Sequence, residues 1–285
     1  MAKLSPEIIR TLSETRSKLK TITHYTSLEG FRSIIACSQL WVSNIRFLND
    51  KSEMDYGIKE AIKFLEKLES DGSDATRKNL IASAKRRIMT RGIPDAYACC
   101  FCEHGDSLGQ WRGYSSGTQG IAIDFQAEDL KNHFLPYGGE LAPVAYGQDA
   151  TRQALLKRFE EFISKGEGKR DLFRDFLEQQ SESLEDAIIH LAPRFKHKSF
   201  EDEREWRTIV KAPLPILKVE YRTRDNVLVP YLKLGSSDLP LPIERVRIGP
   251  GKDMDITKQS VEMFLQSTNR YDGVDVEKSN VPFRT

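Results

Sequence analysis

The chain has 285 residues, with 43 basic and 42 acidic side chains and a formal net charge of +1. At about 150 residues per domain, this length suits either two domains or one large domain. The even charge balance excludes a protein that captures nucleic acid or a membrane surface by bulk positive charge, and the 39% hydrophobic content excludes a disordered chain.

Two further features concern location and metals. The sequence contains no run of about 18 apolar residues, so no membrane-spanning helix is predicted. The N-terminus also lacks the apolar core of a signal peptide. Cys99, Cys100 and Cys102 crowd into one apolar segment, whereas zinc ligands typically come as loop pairs with a second pair elsewhere. We therefore expect free thiols, no metal, no membrane contact and a cytoplasmic location.

The N-terminal third of the chain alternates helix and strand patterns. An amphipathic helix is predicted over residues 1–20, with Ser5 as a plausible N-cap. β-branched residues predict a strand over 21–26, and Leu40–Ser43 predicts a second. Further helices are predicted over 28–37, about 52–68 and about 75–90, the first of them capped by Ser27 or Thr26.

The rest of the chain returns repeatedly to strand patterns. They occur over 96–102, 121–125, 143–146, 203–210, 216–221, 227–234, 244–248 and 274–278. Between them lie a short helical turn over 108–114, two helices filling about 150–192 and one helix over about 255–266. This order predicts an α+β fold with a mixed or antiparallel sheet core: a single domain over 21–285, with a helical insertion at about 150–192, preceded by the helix over 1–20.

The first candidate site is the predicted strand that contains His24, Tyr25 and Thr26. His24 and Thr26 are two residues apart, so their side chains share one face of the strand. An imidazole and a hydroxyl on one face can hydrogen-bond the ribose and an amide of a ligand. The alternative interpretation is a satisfied histidine near a strand end.

The second candidate site is the charged strand pattern at 203–210. If this segment is a strand, Glu203, Glu205 and Arg207 line one face, with the two carboxylates about 7 Å apart. Each carboxylate raises the pKa of the other, and Arg207 counters that effect. Such a pair can act as a general base or stabilise developing positive charge. The alternative is a solvated, salt-bridged edge strand.

The polar loop and helical turn at 105–114 are a third candidate. Trp111 can stack on a planar ring, beside Arg112, or it can anchor a short helix to the core. A weaker interpretation assembles Asp50, Glu53 and Asp106 as the metal-binding carboxylates of a nuclease. The chain has no phosphate-binding glycine loop, no dinucleotide-binding fingerprint and no nucleophile elbow.

Several of these segments resemble a widespread bacterial domain family of unknown function, DUF2971. The resemblance covers about residues 20–284 and rests on His24–Ser27, Leu40–Asp50 with Glu53, Ser107–Tyr114, Glu203–Arg207 and Ile248–Gly251. The family name implies no activity.

A more distant resemblance does imply an enzymatic activity. His24-Tyr25-Thr26, followed by a helix and Leu40-Trp41, is similar to the first motif of ADP-ribosyltransferases, notably the DNA-targeting toxins of bacterial toxin–antitoxin systems. The resemblance implies an ADP-ribosyltransferase-like fold, NAD as substrate and His24 on the adenosine ribose. It assigns Glu205 or Glu203 to the oxocarbenium-like state that forms as nicotinamide leaves. Tyr97, Tyr114 and Ser43 stay open as the middle motif.

The first functional hypothesis is an NAD-consuming enzyme of ADP-ribosyltransferase type in a bacterial toxin or anti-phage defence context. It assigns catalysis to Glu205 and Glu203, and it expects Glu205 and His24 to face one cleft within about 10 Å. The expected ligand-binding residues are His24, Tyr25, Thr26, Trp111, Arg112 and Arg207. The alternative is a non-catalytic nucleotide-sensing or protein-interaction module of a defence system. Expected partners are a nucleotide ligand, a protein or nucleic-acid target and an antitoxin-like protein.

Overall fold

The structure is a computed structural model that describes residues 20–48, 51–71, 74–91, 95–114, 119–166, 184–211, 215–224 and 226–282. The predicted N-terminal helix over 1–20 lies outside the described residues except for Lys20. Asn49 and Asp50, and the side chain of Glu53, also lie outside them. None of the described helices is long and apolar enough to span a membrane.

The described chain contains seven numbered α-helices and twelve strands. Their order is β1 (Thr21–Ser27), α1 (Leu28–Cys37), β2 (Gln39–Asn44), α2 (Lys51–Asp71), α3 (Ala75–Arg91), β3 (Ala96–Cys102), α4 (Leu108–Tyr114), β4 (Gly120–Gln126), α5 (Ala127–Phe134), β5 (Gly139–Pro143), β6 (Ala145–Tyr146), α6 (Gly147–Gly166), β7 (Phe195–Lys196), β8 (Glu205–Lys211), β9 (Glu220–Arg224), β10 (Val227–Gly235), β11 (Ile243–Ile248), α7 (Met254–Ser267) and β12 (Asp275–Lys278). A helical segment also covers 184–189.

Ten strands form one mixed sheet. Its order is β12-β11-β4-β1-β3-β2-β10-β9, with β8 paired to β3 and β5 paired to β8. The pair β11–β12 is parallel, and β6 and β7 form a separate parallel pair. The predicted α+β class with a mixed sheet is confirmed, while the ADP-ribosyltransferase-like fold and the single domain over 21–285 stay predictions.

The sheet branches at β3. One edge of β3 pairs with β8 along the whole strand. The other edge is shared, because Thr23 of β1 pairs with Cys102 at one end and Ser43 of β2 pairs with Ala98 near the other. β1 and β2 therefore diverge, and residues 99–101 have no described strand partner on this edge. We call the gap between β1 and β2, with residues 99–101 at its apex, the fork.

The two faces of the sheet differ in character. Paired residues on neighbouring antiparallel strands point to the same face. The apolar face carries side chains such as Ile22, Phe101 and Ile123, which pack against α1, α5 and α7. Burying a side chain of this size stabilises the fold by about 1.5–3 kcal/mol. The opposite face, which we call the charged face, carries Thr23 and Glu205 among its polar groups.

One strand prediction is wrong in a way that matters for the site. Residues Lys198–Glu203 form a 3-10 helix, and the φ angle of Arg204 is 42°. β8 therefore begins at Glu205. Glu203 and Glu205 are not alternating residues of one strand, as the predicted strand over 203–210 implied. Acidic and basic residues alternate over 203–205, but Glu203 ends a 3-10 helix and Arg204 is left-handed, so this alternation does not belong to a strand.

Two smaller predictions also differ from the structure. The predicted strand over 143–146 is divided between the end of β5 and the whole of β6, with Val144 between them. The segment over 216–221 contributes only its last residues to β9. The helices expected over about 150–192 correspond to α6 and to the helical segment 184–189, while 167–183 lie outside the described residues.

Candidate functional site

Glu205 lies at the centre of a buried ion cluster on the charged face. Its Oε1 accepts a hydrogen bond from Arg207 Nε at 2.7 Å, and its Oε2 accepts one from Arg207 Nη2 at 2.8 Å. Lys196 Nζ donates to the same Oε2 at 3.1 Å and to Glu203 Oε2 at 2.6 Å. Arg207 Nη1 also donates to the carbonyl of Pro193. The cluster thus brings Glu203 and Glu205 together through Lys196.

The electrostatics of this cluster restrict what Glu205 can do. Burial alone would raise the pKa of Glu205, but the charge and hydrogen bonds of Arg207, together with the Lys196 ammonium, lower it to about 2. An effective general base needs a pKa near the working pH, so Glu205 is not suited to that role. It can supply a fixed negative charge, provided that a ligand reaches it. The side chain of Glu203 is 35% exposed, whereas that of Glu205 is 8% exposed.

Tyr25 and Trp111 also point to the charged face, where both have structural contacts. The hydroxyl of Tyr25 donates to the carbonyl of His104 at 2.6 Å and accepts from the amide of Ser107 at 3.0 Å. Trp111 is fully buried, and its Nε1 donates to Asp106 Oδ1 at 2.7 Å. The two rings meet edge to face at 4.8 Å. Trp111 therefore anchors α4 to the sheet and presents no free ring face.

His24 lies at the apex of the fork. Its Nδ1 is 3.0 Å from the carbonyl oxygen of Cys100, so Nδ1 carries the proton and Nε2 is the acceptor nitrogen. This carbonyl belongs to the stretch of β3 without a described strand partner on that edge, and the imidazole takes the place of the missing backbone donor. Burial lowers the pKa of His24 below 6.5, which favours the neutral ring. No described residue hydrogen-bonds Nε2.

Thr26 shares the face of His24, as the alternation within β1 predicts. Its hydroxyl packs against the first turn of α1, where a Cβ on Gly30 would overlap Thr26 Oγ1. Ser27 caps the same helix by accepting a hydrogen bond from the amide of Gly30 at 3.1 Å. Glycine at position 30 therefore allows the strand and the helix to approach closely beside the fork.

The expectation that His24 and Glu205 face one cleft is wrong. Thr23 pairs with Cys102, and Cys102 pairs with Glu205, so Thr23 and Glu205 point to the same face. His24 is the next residue after Thr23 and points to the opposite face. The two backbone positions are two strand spacings apart, about 10 Å, but the sheet lies between the two side chains.

The remaining candidates divide into three groups. Arg112 has an exposed side chain on α4. Asp106 accepts hydrogen bonds from Trp111, Ser279 and the amide of Asn280, which ties the C-terminal segment to the loop before α4. The side chains of Asp50, Glu53 and Tyr114 lie outside the described residues. Within the described ranges, no group of three or more His, Cys, Asp or Glu residues is placed to hold a metal ion.

Sequence reasoning missed a second polar cluster on the charged face. Asp124 Oδ1 accepts a hydrogen bond from Thr23 Oγ1 at 2.7 Å, and its Oδ2 is 3.5 Å from Arg247 Nη2 and 3.7 Å from Arg245 Nε. Burial raises the pKa of Asp124 in spite of these partners. The signal in the sequence was a single carboxylate inside the apolar run 121–125.

Comparison with known proteins gave one match. Residues 110–208 match a family described as a protein of unknown function (DUF2971). The match covers about a third of the chain and includes Trp111, Arg112, Glu203, Glu205 and Arg207. No curated protein and no solved structure matches the chain. The resemblance to that family is supported over these residues, and the resemblance to ADP-ribosyltransferases rests on the sequence motifs alone.

Proposed function

We propose that the chain binds a nucleotide at the fork, with NAD as the expected ligand and His24 as a contact residue. The observation that carries the proposal is the hydrogen bond between His24 Nδ1 and the carbonyl of Cys100. It fixes the tautomer and leaves Nε2 to accept a hydrogen bond from a hydroxyl such as that of a ribose.

A non-catalytic nucleotide-sensing module is the form of this function that the geometry supports best. His24 and Thr26 point to one face, and Glu205, with both oxygens engaged by Arg207 and Lys196, points to the other. Binding at His24 needs no carboxylate. We place such a sensor in the cytoplasm as part of a bacterial toxin or anti-phage defence system, with a protein partner that responds to the bound nucleotide.

An NAD-consuming enzyme of ADP-ribosyltransferase or glycohydrolase type is the second candidate. It is favoured by the motif at His24-Tyr25-Thr26 and by the low pKa of Glu205, which keeps that carboxylate charged. In this reaction the nicotinamide–ribose bond breaks and its electron pair leaves with nicotinamide. A nucleophile from protein, nucleic acid or water then bonds the ribose carbon. A nearby carboxylate would stabilise the positive charge that develops on the ribose.

Calorimetric titration with NAD and ADP-ribose tests the binding proposal. We expect wild-type protein to bind, and His24→Ala to weaken binding by about tenfold, the effect of losing one hydrogen bond of about 1.4 kcal/mol. His197→Ala is the matched control, because His197 is an exposed residue that caps the 3-10 helix Lys198–Glu203. Absence of binding, or equal affinities for wild type and His24→Ala, would contradict the proposal.

Mass spectrometry of nicotinamide distinguishes the two candidates. Binding without nicotinamide release supports the sensor, and release supports the enzyme. For the enzyme we expect Glu205→Gln to abolish release. Because that substitution breaks a buried ion cluster, Glu203→Gln serves as a second variant, and circular dichroism checks that both proteins are folded. Release that is unchanged in both variants would exclude these carboxylates from catalysis.

A further inference from the structure

Arg222 of β9 is a half-buried cation without a described counter-ion. Its guanidinium carbon lies 5.7 Å from the centre of the Trp41 ring, and its Nη2 donates to Ser43 Oγ at 2.9 Å. Its Nε is buried and has no hydrogen-bond partner in the part of the chain that the structure describes. No carboxylate of the described residues forms an ion pair with it. An unpaired buried donor on a charged group destabilises a fold unless something else satisfies it.

The charges around Arg222 do not compensate for it. Glu220 is two residues earlier on the same face of β9, but it accepts from Tyr231 Oη at 3.0 Å and pairs with Lys233 Nζ at 2.8 Å. Arg224 is two residues later and adds a second positive charge on that face. Burial and the neighbouring Arg224 both lower the pKa of Arg222. The local field therefore favours an anion from outside the described chain.

The aromatic neighbour adds a second feature typical of nucleotide sites. Trp41 stacks on Tyr231 with ring centres 4.4 Å apart and an interplanar angle of 24°, and 37% of Trp41 is exposed. A guanidinium presents paired donors that match the oxygens of a phosphate, and its flat surface stacks on indole. The three side chains Arg222, Trp41 and Ser43 thus offer charge, donors and an apolar surface in one place.

We infer that Arg222, with Trp41 and Ser43, forms an anion-binding site for a phosphate group of a nucleotide. Trp41 and Ser43 belong to β2, which is the second arm of the fork, whereas His24 belongs to the first arm. Arg222, Trp41 and Ser43 point to the charged face, whereas His24 points to the apolar face, so the anion site is separate from the contact at His24. A nucleotide would bind here by its phosphate on Arg222 and its base against the indole of Trp41. The choice of a nucleotide as the source of the phosphate rests on the proposed function. The anion site itself does not.

Inorganic pyrophosphate is the first probe, measured by calorimetry and by tryptophan fluorescence. We expect wild-type protein to bind it, and Arg222→Gln to weaken binding ten- to hundredfold, about the effect of losing one charge-assisted hydrogen bond. Arg245→Gln is the matched control, because Arg245 is a strand arginine on the same face that pairs with Glu277. Equal affinities for wild type and Arg222→Gln, or equal losses in both variants, would overturn the inference.

Further arms of the experiment separate the anion site from the nucleotide proposal. We expect pyrophosphate to compete with ADP-ribose in His24→Ala, in which the contact at His24 is removed, that variant to keep the wild-type affinity for pyrophosphate, and Trp41→Phe to remove the fluorescence change. Pyrophosphate binding without ADP-ribose binding would keep the anion site and overturn the nucleotide as its source. Tighter binding of a short single-stranded oligonucleotide than of ADP-ribose would overturn the choice of a small nucleotide in favour of a nucleic-acid backbone.

Discussion

At the scale of single residues, Glu205 shows how a buried charge can be structural. It forms two hydrogen bonds with Arg207 and one with Lys196, and all three side chains are nearly inaccessible to solvent. Removing one charge from such a cluster leaves the others uncompensated in a region of low dielectric. This situation destabilises proteins much more than the loss of an exposed ion pair does.

We therefore expect Glu205→Gln to lower the free energy of unfolding by about 3–5 kcal/mol. Glu140→Gln is the control, because Glu140 also pairs with two cations, Lys211 and Arg194, but its side chain is 49% exposed. Its effect should stay below about 1 kcal/mol. Urea denaturation followed by circular dichroism measures both changes. Equal effects in the two variants would show that the buried cluster contributes no more than a surface pair.

The alternation within a strand predicted which of its residues share a face. The register between strands determines which residues of different strands point to the same face. Alternation placed His24 with Thr26 and Glu205 with Arg207, as the structure has them. Whether β1 and β8 present those residues to one cleft depends on how both align with β3, and a shift of one residue reverses the face. No feature of the sequence encodes that alignment locally. The role of Arg222 was equally hidden, because it depends on partners from β2 and β10.

At the scale of elements, long periodic segments and strong caps were predictable. The predicted bounds of α1 and α4 agree with the structure, and Ser27 caps α1 as one of the two predicted residues. No prediction covered α5, which has only eight residues and continues directly from β4. Glu203 was predicted to lie on a strand, because acidic and basic residues that alternate with a period of two are typical of strands, although the same alternation also arises by chance in a short turn.

The end of β10 depends on a glycine that no other residue can replace without strain. The φ angle of Gly235 is 113°, and a Cβ there would overlap the carbonyl oxygen of Ser38. Gly235 pairs with Gln39, so the contact connects β10 to β2 at the second arm of the fork. A left-handed conformation and a close backbone approach both favour glycine at this position.

We expect Gly235→Ala to lower the free energy of unfolding by about 1–3 kcal/mol, the range for a strained backbone residue. Gly273→Ala is the matched control, because no atom lies within 4 Å of a Cβ built at Gly273. Its effect should fall within about 1 kcal/mol of wild type. Thermal and urea unfolding of the two variants provide the comparison. A stable Gly235→Ala protein would show that the chain relaxes at this turn without cost.

At the scale of the whole molecule, the near-zero net charge hides an uneven distribution. The apolar face of the sheet is covered by helices, whereas the other face carries the Glu205 cluster, the Asp124 cluster and Arg222, which has no counter-ion among the described residues. The first two groups are balanced: Lys196 and Arg207 neutralise Glu203 and Glu205, and Asp124 together with Glu277 neutralises Arg245 and Arg247. The third is not, which is why the same face can serve both stability and the binding of an anion.

Acid should destabilise the molecule in two stages. Burial lowers the pKa of His24 and His190 below 6.5, so the unfolded chain takes up protons first and stability declines once the pH falls below 6.5. Arg207 and Lys196 hold the pKa of Glu205 at about 2 in the folded protein, below the ordinary value of 4.5 that applies in the unfolded chain. The contribution of Glu205 to the free energy of unfolding is therefore complete above pH 4.5 and is lost as the pH falls from 4.5 towards 2.

Variants measure how much His24 and Glu205 contribute to the two stages of this acid profile. The free energy of unfolding is measured in urea at about pH 7.5, 5.5 and 3.5. We expect His24→Gln to reduce the decline between the first two values and Glu205→Gln to reduce the decline between the last two. Each variant then leaves the other stage intact, because the two side chains lie on opposite faces of the sheet. A Glu205→Gln protein with the wild-type slope at low pH would assign that stage to other carboxylates and would place the folded-state pKa of Glu205 near its ordinary value.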